Sequence, residues 1–181
     1  MSGHGSQQPS AWVQRWAPLI EPGGRVLDLA CGEGRHVKWL AQRGYRVDAV
    51  DRDPEGLVGM QGIAAIRTRV HDLELGEWPY PGEKFQGLIV THYLHRPLFP
   101  LLIGSLMPGG VLIYETFALG NARFGRPSKP QFLLAPGELL RAVRDALHIV
   151  AYEDVYTEDP KPAMVQRICA VAAADSTQVW R

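Results

Sequence analysis

The strongest constraint on the fold of this chain is the alternation of short apolar segments with stretches of helical periodicity. Seven segments are rich in β-branched residues and read as strands: RVLDLA, RVDAVD, AAIRTRV, FQGLIVT, GGVLIYETF, HIVAYEDVY and QRICAVAAA. Strands that alternate with helices along the chain are typical of α/β proteins with a mostly parallel sheet. The sequence therefore predicts a mostly parallel seven-stranded sheet with helices on both faces.

The helices predicted between these strands begin and end at recognisable residues. One is predicted from Gly34 to Arg43, and Gly44 follows it as a C-terminal stop. Asp53 predicts the N-cap of the next helix, because a proline follows it at the first helical position. Apolar stripes predict further helices at 12–20, 96–106 and 136–146.

Length and composition favour one domain in a reducing compartment. The 181 residues are 46% hydrophobic, which suffices for one compact core. The 19 basic and 19 acidic residues balance, so bulk charge provides no field that attracts nucleic acid or a membrane. Cys31 and Cys169 have no CxxC spacing, and MSGHGSQQPS lacks a signal-peptide pattern. We therefore expect a disordered tail at 1–9, a single domain at 10–181 and cytoplasmic localisation without membrane contact.

The segment VLDLACGEGRHV places a glycine turn between the first predicted strand and a helix. Such a turn brings backbone N–H groups close to a ligand. A dinucleotide site requires a third glycine where Val37 stands, and Asp28 and Glu33 would repel a pyrophosphate. A P-loop is excluded because no G-K-[ST] follows the turn. The turn therefore favours a ligand with a cationic end and a nucleoside but without phosphates.

The series DLACGEG resembles the first motif of class I S-adenosylmethionine-dependent methyltransferases, with Asp28, Ala30, Gly32 and Gly34 at its alternate positions. Ala30 replaces the commoner glycine. The order of the motifs extends the resemblance over residues 12–174, and small bacterial methyltransferases of the tellurite-resistance type are similar in size and layout. The resemblance implies a Rossmann-like class I methyltransferase fold with S-adenosyl-L-methionine as cofactor.

Two further acids follow predicted strands. Asp51 lies 19 residues after Gly32, where a carboxylate can accept hydrogen bonds from both ribose hydroxyls. In the resembling family an acid at the position of Asp72 accepts from the adenine amine, and a solvated turn residue is the alternative. The resemblance implies a cofactor site made by these acids and their neighbours: Asp28, Ala30, Cys31, Gly32, Gly34, Arg35, Asp51, Arg52, Asp72, Leu73, Thr91 and His92.

The segment IVTHYLHRPL follows the fourth predicted strand, at the carboxyl edge where open α/β sheets bind ligands. His92, Tyr93 and His95 are the candidate catalytic residues, with packing as the alternative for Tyr93 and helix capping as the alternative for His95. Two histidines three residues apart do not define a metal site, so we expect no metal. The segment also differs from the Asn-Pro-Pro-Tyr type tetrapeptide of enzymes that methylate the amino groups of adenine in DNA or of glutamine.

The most unusual stretch is the loop 117–132, which follows the fifth predicted strand. Its phenylalanines alternate with Arg123, Arg126 and Lys129 in a segment broken by glycines and prolines. Three interpretations remain open: a lid over the acceptor pocket, a contact for a nucleic-acid strand, and a surface connection. We expect the acceptor to contact side chains of this loop, of the first helix and of the segment after the fourth strand: Trp12, Trp16, Tyr93, Arg96, Arg123 and Arg126. For the two tryptophans, packing of the helix on the sheet is the alternative.

The leading functional hypothesis is a small S-adenosylmethionine-dependent methyltransferase that acts on a small molecule, because little chain remains beyond the core fold to dock a macromolecule. A catalytically silent S-adenosylmethionine-binding regulatory module is a second hypothesis. An RNA methyltransferase that uses the loop 117–132 is a third. A nicotinamide-dependent oxidoreductase is disfavoured by Asp28, Glu33 and Val37. We expect a monomer or a homodimer.

Overall fold

A seven-stranded sheet organises the computed structural model, which describes residues 8–174. The strands are β1 (Arg25–Leu29), β2 (Arg46–Asp51), β3 (Ile66–Val70), β4 (Phe85–Thr91), β5 (Leu106–Phe117), β6 (Leu147–Thr157) and β7 (Ala163–Ala172). Their order across the sheet is β3-β2-β1-β4-β5-β7-β6. The seven predicted strands are confirmed, whereas most of the tail predicted at 1–9 lies outside the described residues.

The sheet is parallel except around β7. β1 pairs in parallel with β2 and β4, β2 with β3, and β4 with β5. β7 lies between β5 and β6 and is antiparallel to both. Parallel strands covered by helices are buried on both faces, which explains why the central strand β1 is apolar after Arg25 apart from Asp28. The mostly parallel fold class is therefore confirmed.

The α-helices in the described part of the chain are α1 (Ala11–Trp16), α2 (Arg35–Ala41), α3 (Pro54–Leu57), α4 (Phe99–Gly104) and α5 (Glu138–Val143). They overlap the predicted segments but are shorter. Short 3-10 turns at 17–19, 58–60 and 96–98 replace part of the predicted helices. Asp53 caps α3 as predicted, since its side chain accepts from the backbone N–H of Glu55 at 3.0 Å.

The helices cover both faces of the sheet. On one face, Val13 of α1 and Leu40 of α2 belong to a buried cluster that also includes the segment around α3. On the other face, Leu102 of α4 and Leu139 of α5 belong to a second buried cluster. Each cluster takes alternate residues of the same strands, because neighbouring side chains in a strand point to opposite faces.

The connections that follow β1 and β4 lead to opposite faces of the sheet, since α2 packs on the first face and α4 on the second. The carboxyl ends of these two adjacent strands therefore border a crevice, which is the usual ligand position in open α/β sheets. Over residues 8–174, no helix combines the length and the apolar character needed to cross a membrane.

Candidate functional site

The turn after β1 leaves open space beside Gly32. Gly32 and Gly34 have φ angles of +55° and +73°, and Ala30 also has a positive φ of +50°. A Cβ added to Gly32 would meet no atom within 4 Å, whereas one added to Gly34 would overlap the side chain of Met60. Gly34 is therefore needed for packing, and Gly32 allows a ligand to approach the backbone closely.

Asp51 connects the end of β2 to this turn. Its Oδ2 accepts from the N–H of Gly32 at 2.8 Å, and its Oδ1 accepts from the N–H of Asp53 at 2.9 Å. Each carboxylate oxygen has two lone pairs, so both oxygens keep the capacity to accept a further hydrogen bond. The carboxylate of Asp51 is thus held in place by the backbone and still suited to bind two hydroxyl groups.

A cavity of about 290 Å³ opens at the carboxyl ends of the parallel strands. One part, which we call the nucleoside end, is lined by residues that follow β1, β2 and β3: Ala30, Asp51, Arg52, His71, Asp72, Leu73 and Glu74. The other part, which we call the acceptor end, is lined by residues from β5, from the segment after β4 and from the loop 117–132: His92, Tyr93, Leu94, Thr116, Phe117, Pro127 and Phe132.

Hydrogen bonds order polar residues of the nucleoside end. Asp72 accepts from the backbone N–H of Glu74 at 2.9 Å, and His71 donates from Nε2 to the carbonyl oxygen of Glu77 at 2.8 Å. The hydroxyl of Tyr93 is buried and has no hydrogen-bond partner among the described residues. Burial, together with the charges of Glu74 and Asp72, raises the pKa of Tyr93 above its usual value. Tyr93 is therefore a potential donor and not a base at neutral pH.

A buried carboxyl group lies behind the glycine turn, on the face of the sheet covered by α1 and α2. Asp28 is 1% exposed, and neither of its carboxyl oxygens has a hydrogen-bond partner among the described residues. Burial raises the pKa of Asp28 to about 8; Arg35 opposes this effect and Asp51 adds to it. The Nδ1 of His36 lies 3.9 Å from Oδ2 of Asp28, which is too far for a hydrogen bond. An unpaired buried carboxyl group suits a cationic ligand.

The N-terminal cap of α1 contacts the same buried region. The backbone N–H of Ser10 donates to Nε2 of His36 at 3.0 Å, and its Oγ donates to Glu115 at 2.8 Å. Burial lowers the pKa of His36 to about 3, so this imidazole is neutral and can accept the bond. The other oxygen of Glu115 lies 3.4 Å from Arg167, which also pairs with Glu153.

His92 combines an unusual backbone conformation with a place in the cavity wall. Its φ is +55°, and its ring stacks on Phe117 with centroids 4.8 Å apart. A non-glycine residue in this region stores strain, which is common at functional sites. Packing against protein atoms and the positive charges of Arg35 and Lys161 lower the pKa of His92 to about 4. The imidazole is therefore neutral at neutral pH and can donate one hydrogen bond and accept another.

The structure brings most of the predicted cofactor residues to the cavity or to the turn beside it. The cavity is lined by Ala30, Asp51, Arg52, Asp72, Leu73 and His92. The turn and the buried region behind it contain Asp28, Cys31, Gly32, Gly34 and Arg35. Thr91 is buried at the end of β4 and is not part of the cavity lining.

The predicted acceptor residues are more dispersed. Trp12 is 3% exposed in the core, and its Nε1 donates to the carbonyl oxygen of Ile168 at 3.2 Å. Trp16 packs edge-on against Trp12, with the ring centroids 5.6 Å apart. Arg96 holds the carboxylate of Glu138 at 2.6 and 3.0 Å. These contacts join elements of the fold, and none of the three residues lines the cavity, although Arg96 also donates to the carbonyl oxygens on either side of Phe132.

The remaining predicted residues are not part of the cavity lining. His95 lines an adjacent cavity of about 390 Å³, together with residues such as Trp78 and Leu101. Arg123 and Arg126 are exposed on the loop 117–132, which reaches the acceptor end through Pro127 and Phe132.

Several lining residues were not among the predicted site residues. Thr116 and Phe117 end the fifth predicted strand, so the rule that ligands bind at carboxyl ends of parallel strands would have identified them. Pro127 and Phe132 carry no comparable local signal, because only the path of the loop brings them to the cavity.

The sequence matches the profile of a protein family described as "Methyltransferase domain" over residues 1–156. Trans-aconitate 2-methyltransferase of Delftia acidovorans is 28% identical over 188 aligned positions, which cover 96% of this chain and 66% of that protein. The chain spans 41–66% of the length of the curated relatives that it matches.

Solved structures of low sequence identity share the fold. TehB from Haemophilus influenzae superposes with a TM-score of 0.74 at 18% identity, over 91% of this chain and 62% of TehB. An S-adenosylmethionine-dependent methyltransferase from Mesorhizobium loti superposes with a TM-score of 0.68 at 18% identity, over 90% of this chain and 98% of that protein. The predicted similarity to the tellurite-resistance type is confirmed at the level of the fold.

Proposed function

Because the chain belongs to the class I S-adenosylmethionine-dependent methyltransferases, we propose that it transfers a methyl group from S-adenosylmethionine to a small-molecule acceptor. One observation carries the proposal: the open turn at Gly32, the carboxylate of Asp51 and the cavity meet in a single crevice. Nucleoside recognition and an acceptor pocket are thus adjacent, as methyl transfer requires.

The residues of this crevice fit the cofactor. The open space beside Gly32 accommodates close backbone contact, and Asp51 has lone pairs available for two ribose hydroxyls. The unpaired carboxyl group of Asp28 lies behind the turn, where a cationic group would supply the missing partner. Asp72 at the nucleoside end is our proposed acceptor for the adenine amine.

The residues of the chain align the acceptor with the methyl donor and exclude water from the acceptor end. When bound, the cofactor provides a methyl group on a positively charged sulfur, which an acceptor atom displaces in line. His92 orients the acceptor through one hydrogen bond, and the rings of Phe117 and Phe132 exclude water from the acceptor end. Tyr93 forms part of the wall of the acceptor end.

The cavity supports a small acceptor. Its volume of about 290 Å³ is at the lower end of small-molecule sites. Asn121 fixes the loop 117–132 over this cavity by donating to the carbonyl of Pro127 at 3.0 Å and accepting from the N–H of Met164 at 3.2 Å. Since one matched relative is named for methylating trans-aconitate, that compound is the first acceptor to assay.

Calorimetric titration tests the proposal directly. We expect S-adenosylhomocysteine to bind and NAD not to bind, because Glu33 would repel the pyrophosphate and Val37 stands where the dinucleotide motif requires a glycine. A protein that binds NAD and not S-adenosylhomocysteine contradicts the proposal. Binding of S-adenosylhomocysteine without turnover of trans-aconitate or of any compound in a metabolite collection would favour the catalytically silent module instead.

A further inference from the structure

The loop 117–132 borders the acceptor end with a stretch of chain that has few apolar anchors. We call residues 122–132 the outer arm; none of them is buried, although Pro127 and Phe132 line the acceptor end. Directly after the arm, Leu133 is 3% exposed in a cluster with Phe117. Segments with few buried apolar contacts open at a low cost in free energy. The position of the outer arm therefore depends on individual polar contacts.

Arg96 provides two such contacts where the outer arm ends. It lies in the segment after β4, which also carries Tyr93 of the acceptor end. Its Nη1 donates to the carbonyl oxygen of Gln131 at 2.8 Å, and its Nη2 donates to the carbonyl oxygen of Leu133 at 3.0 Å. Phe132 is the residue between these two carbonyls. The guanidinium therefore joins two parts of the acceptor end, the segment after β4 and the arm that carries Phe132.

The guanidinium of Arg96 is itself fixed by α5. Its Nε donates to Oε1 of Glu138 at 2.6 Å, and its Nη2 donates to Oε2 at 3.0 Å. The same Oε2 accepts from the backbone N–H of Ala135 at 2.7 Å. Glu138 begins α5, and the next residue, Leu139, is fully buried in the core. A planar guanidinium in a bidentate pair has a defined orientation, so the position of a core helix is transmitted to the outer arm.

Other contacts hold the first half of the outer arm. Asn121 donates to the carbonyl oxygen of Pro127 at 3.0 Å, and the ring of Phe124 packs on Tyr156 with centroids 5.2 Å apart. These contacts involve residues before Ser128, whereas the bonds from Arg96 hold the half that ends at Phe132.

The ion pair between Arg96 and Glu138 acts locally. The side chain of Arg96 is 42% exposed and that of Glu138 is 21% exposed. Ion pairs with this much exposure add little to the free energy of unfolding. We therefore expect the loss of Arg96 to change the position of the outer arm and the shape of the acceptor end far more than the stability of the domain.

We propose that Arg96 is a positioning residue that sets the width of the acceptor end: anchored on Glu138, it holds Phe132 at the cavity and so excludes acceptors with bulky groups. Arg96 itself is not part of the cavity lining, so it acts through the arm and not by contact with the acceptor. A fixed wall discriminates by steric clash, and this selectivity is lost when the wall can move outward. The inference rests on the proposed function, because it assigns a specificity determinant of the same site.

Three variants separate the hydrogen bonds of Arg96 from its charge and its bulk. Arg96→Met keeps an apolar stem but removes every N–H donor. Arg96→Lys keeps the positive charge but lacks the planar fork that reaches two carbonyls and a carboxylate together. Arg141→Met is the matched control, because Arg141 is an exposed arginine of α5 that donates to the carbonyl oxygen of Pro136 at 2.8 Å, outside the outer arm.

A reporter cysteine in the acceptor end measures its width directly. Tyr93 lines this end and is half-buried, whereas the native Cys31 and Cys169 are buried. Tyr93→Cys is therefore treated with methyl methanethiosulfonate and with the larger benzyl methanethiosulfonate in the presence of S-adenosylhomocysteine. We expect Arg96→Met to raise the rate with the benzyl reagent roughly fivefold or more and to change the rate with the methyl reagent less than twofold. Arg96→Lys should give an intermediate benzyl rate, and Arg141→Met should change neither rate.

Two results of this experiment contradict the inference. An unchanged benzyl rate in Arg96→Met shows that the width of the acceptor end does not depend on Arg96. An equal increase with both reagents shows that the variant loosens the whole site without changing its selectivity for size.

Hydrogen exchange provides a second measurement in the protein that retains Tyr93. The backbone N–H groups of Phe132 and Leu133 donate to the carbonyl oxygens of Lys129 and Pro130, each at 3.0 Å. We expect these two amides to exchange roughly threefold faster or more in Arg96→Met, because the arm opens more often, and to exchange at the wild-type rate in Arg141→Met. Unchanged exchange of both amides in Arg96→Met would show that the arm keeps its position without Arg96, which contradicts the inference.

Cofactor affinity separates failure of this inference from failure of the proposed function. In Arg96→Met, S-adenosylhomocysteine affinity should stay within about threefold of wild type, because the outer arm does not line the nucleoside end. A larger loss would contradict the assignment of Arg96 to the acceptor end. A wild-type protein that does not bind S-adenosylhomocysteine removes the proposed function itself, whereas wild-type binding with an unchanged benzyl rate in Arg96→Met removes only this inference.

Discussion

The two ends of the cavity are assembled from different kinds of structure. At the nucleoside end, short turns directly after β1, β2 and β3 supply the lining residues, and backbone hydrogen bonds such as that from Gly32 to Asp51 hold them. The acceptor end combines β5, the segment after β4 and a loop that returns to the cavity at Pro127 and Phe132. The first end depends on local sequence, whereas the second depends on long-range packing.

This difference explains why the sequence pointed to individual lining residues at the nucleoside end but only to a region at the acceptor end. A common ligand group needs the same acceptors in every member of a family, so its site has a recognisable pattern. The acceptor differs between relatives, as the names of the matched proteins indicate. Its site therefore leaves no fixed pattern in the sequence.

Gly32→Val should have the largest effect, confined to the nucleoside end. Its Cβ would occupy the open space at the turn, and valine disfavours the φ of +55° at this position. We expect binding of S-adenosylhomocysteine to become undetectable by calorimetry. Gly82→Val is the matched control, because Gly82 has φ +72° and equally open surroundings away from the cavity. Near-normal affinity in folded Gly32→Val would mean that the turn serves only packing.

Asp51→Ala should also weaken cofactor binding at the nucleoside end, but less than Gly32→Val does. Charge-assisted hydrogen bonds contribute about 1.5–3 kcal/mol each before water compensates, so affinity for S-adenosylhomocysteine should fall roughly tenfold to several hundredfold. The control is Asp53→Ala, which removes the cap of α3 two residues away but no cavity residue. Equal affinity in Asp51→Ala and wild type would refute the ribose assignment.

Arg123→Ala combined with Arg126→Ala should affect only the acceptor end. If the loop 117–132 acts as a lid, kcat/KM for the acceptor should fall at least tenfold, while S-adenosylhomocysteine affinity stays within about threefold. The nucleic-acid interpretation predicts salt-dependent binding of single strands that this double variant loses. No change in turnover, cofactor affinity or strand binding would reduce the loop to a surface connection.

Asp28→Asn should give a pH-dependent change in stability. The pKa of Asp28 is raised from 3.8 to about 8 on folding, so its contribution to wild-type stability decreases as pH rises between these values. The melting temperature of Asp28→Asn relative to wild type should therefore increase from pH 4 to pH 8 and then level off. Asp145→Asn, at a carboxylate that is 89% exposed, serves as the control and should show no such trend.

The sequence by itself determined the strands, the turn and the position of Asp51 at the end of β2, because each depends on residues close together in the chain. Alternation of apolar segments specified the sheet, and glycines with positive φ specified the turn after β1. Asp53 was correctly predicted to be the N-cap of α3, because a proline after an N-cap is a local signal. Helix lengths were overestimated, since 3-10 turns satisfy the same apolar spacing.

Only the tertiary structure decided which side chains share the cavity. Trp12 and Arg96 have the sequence features of ligand contacts, but burial against β7 and pairing with Glu138 engage them elsewhere. Phe132 lines the same cavity as Phe117 because the loop that carries it is anchored to Met164 through Asn121. Such contacts join residues far apart in the chain, and their free energy depends on the packing of the whole domain. The spacing of residue types therefore does not encode them.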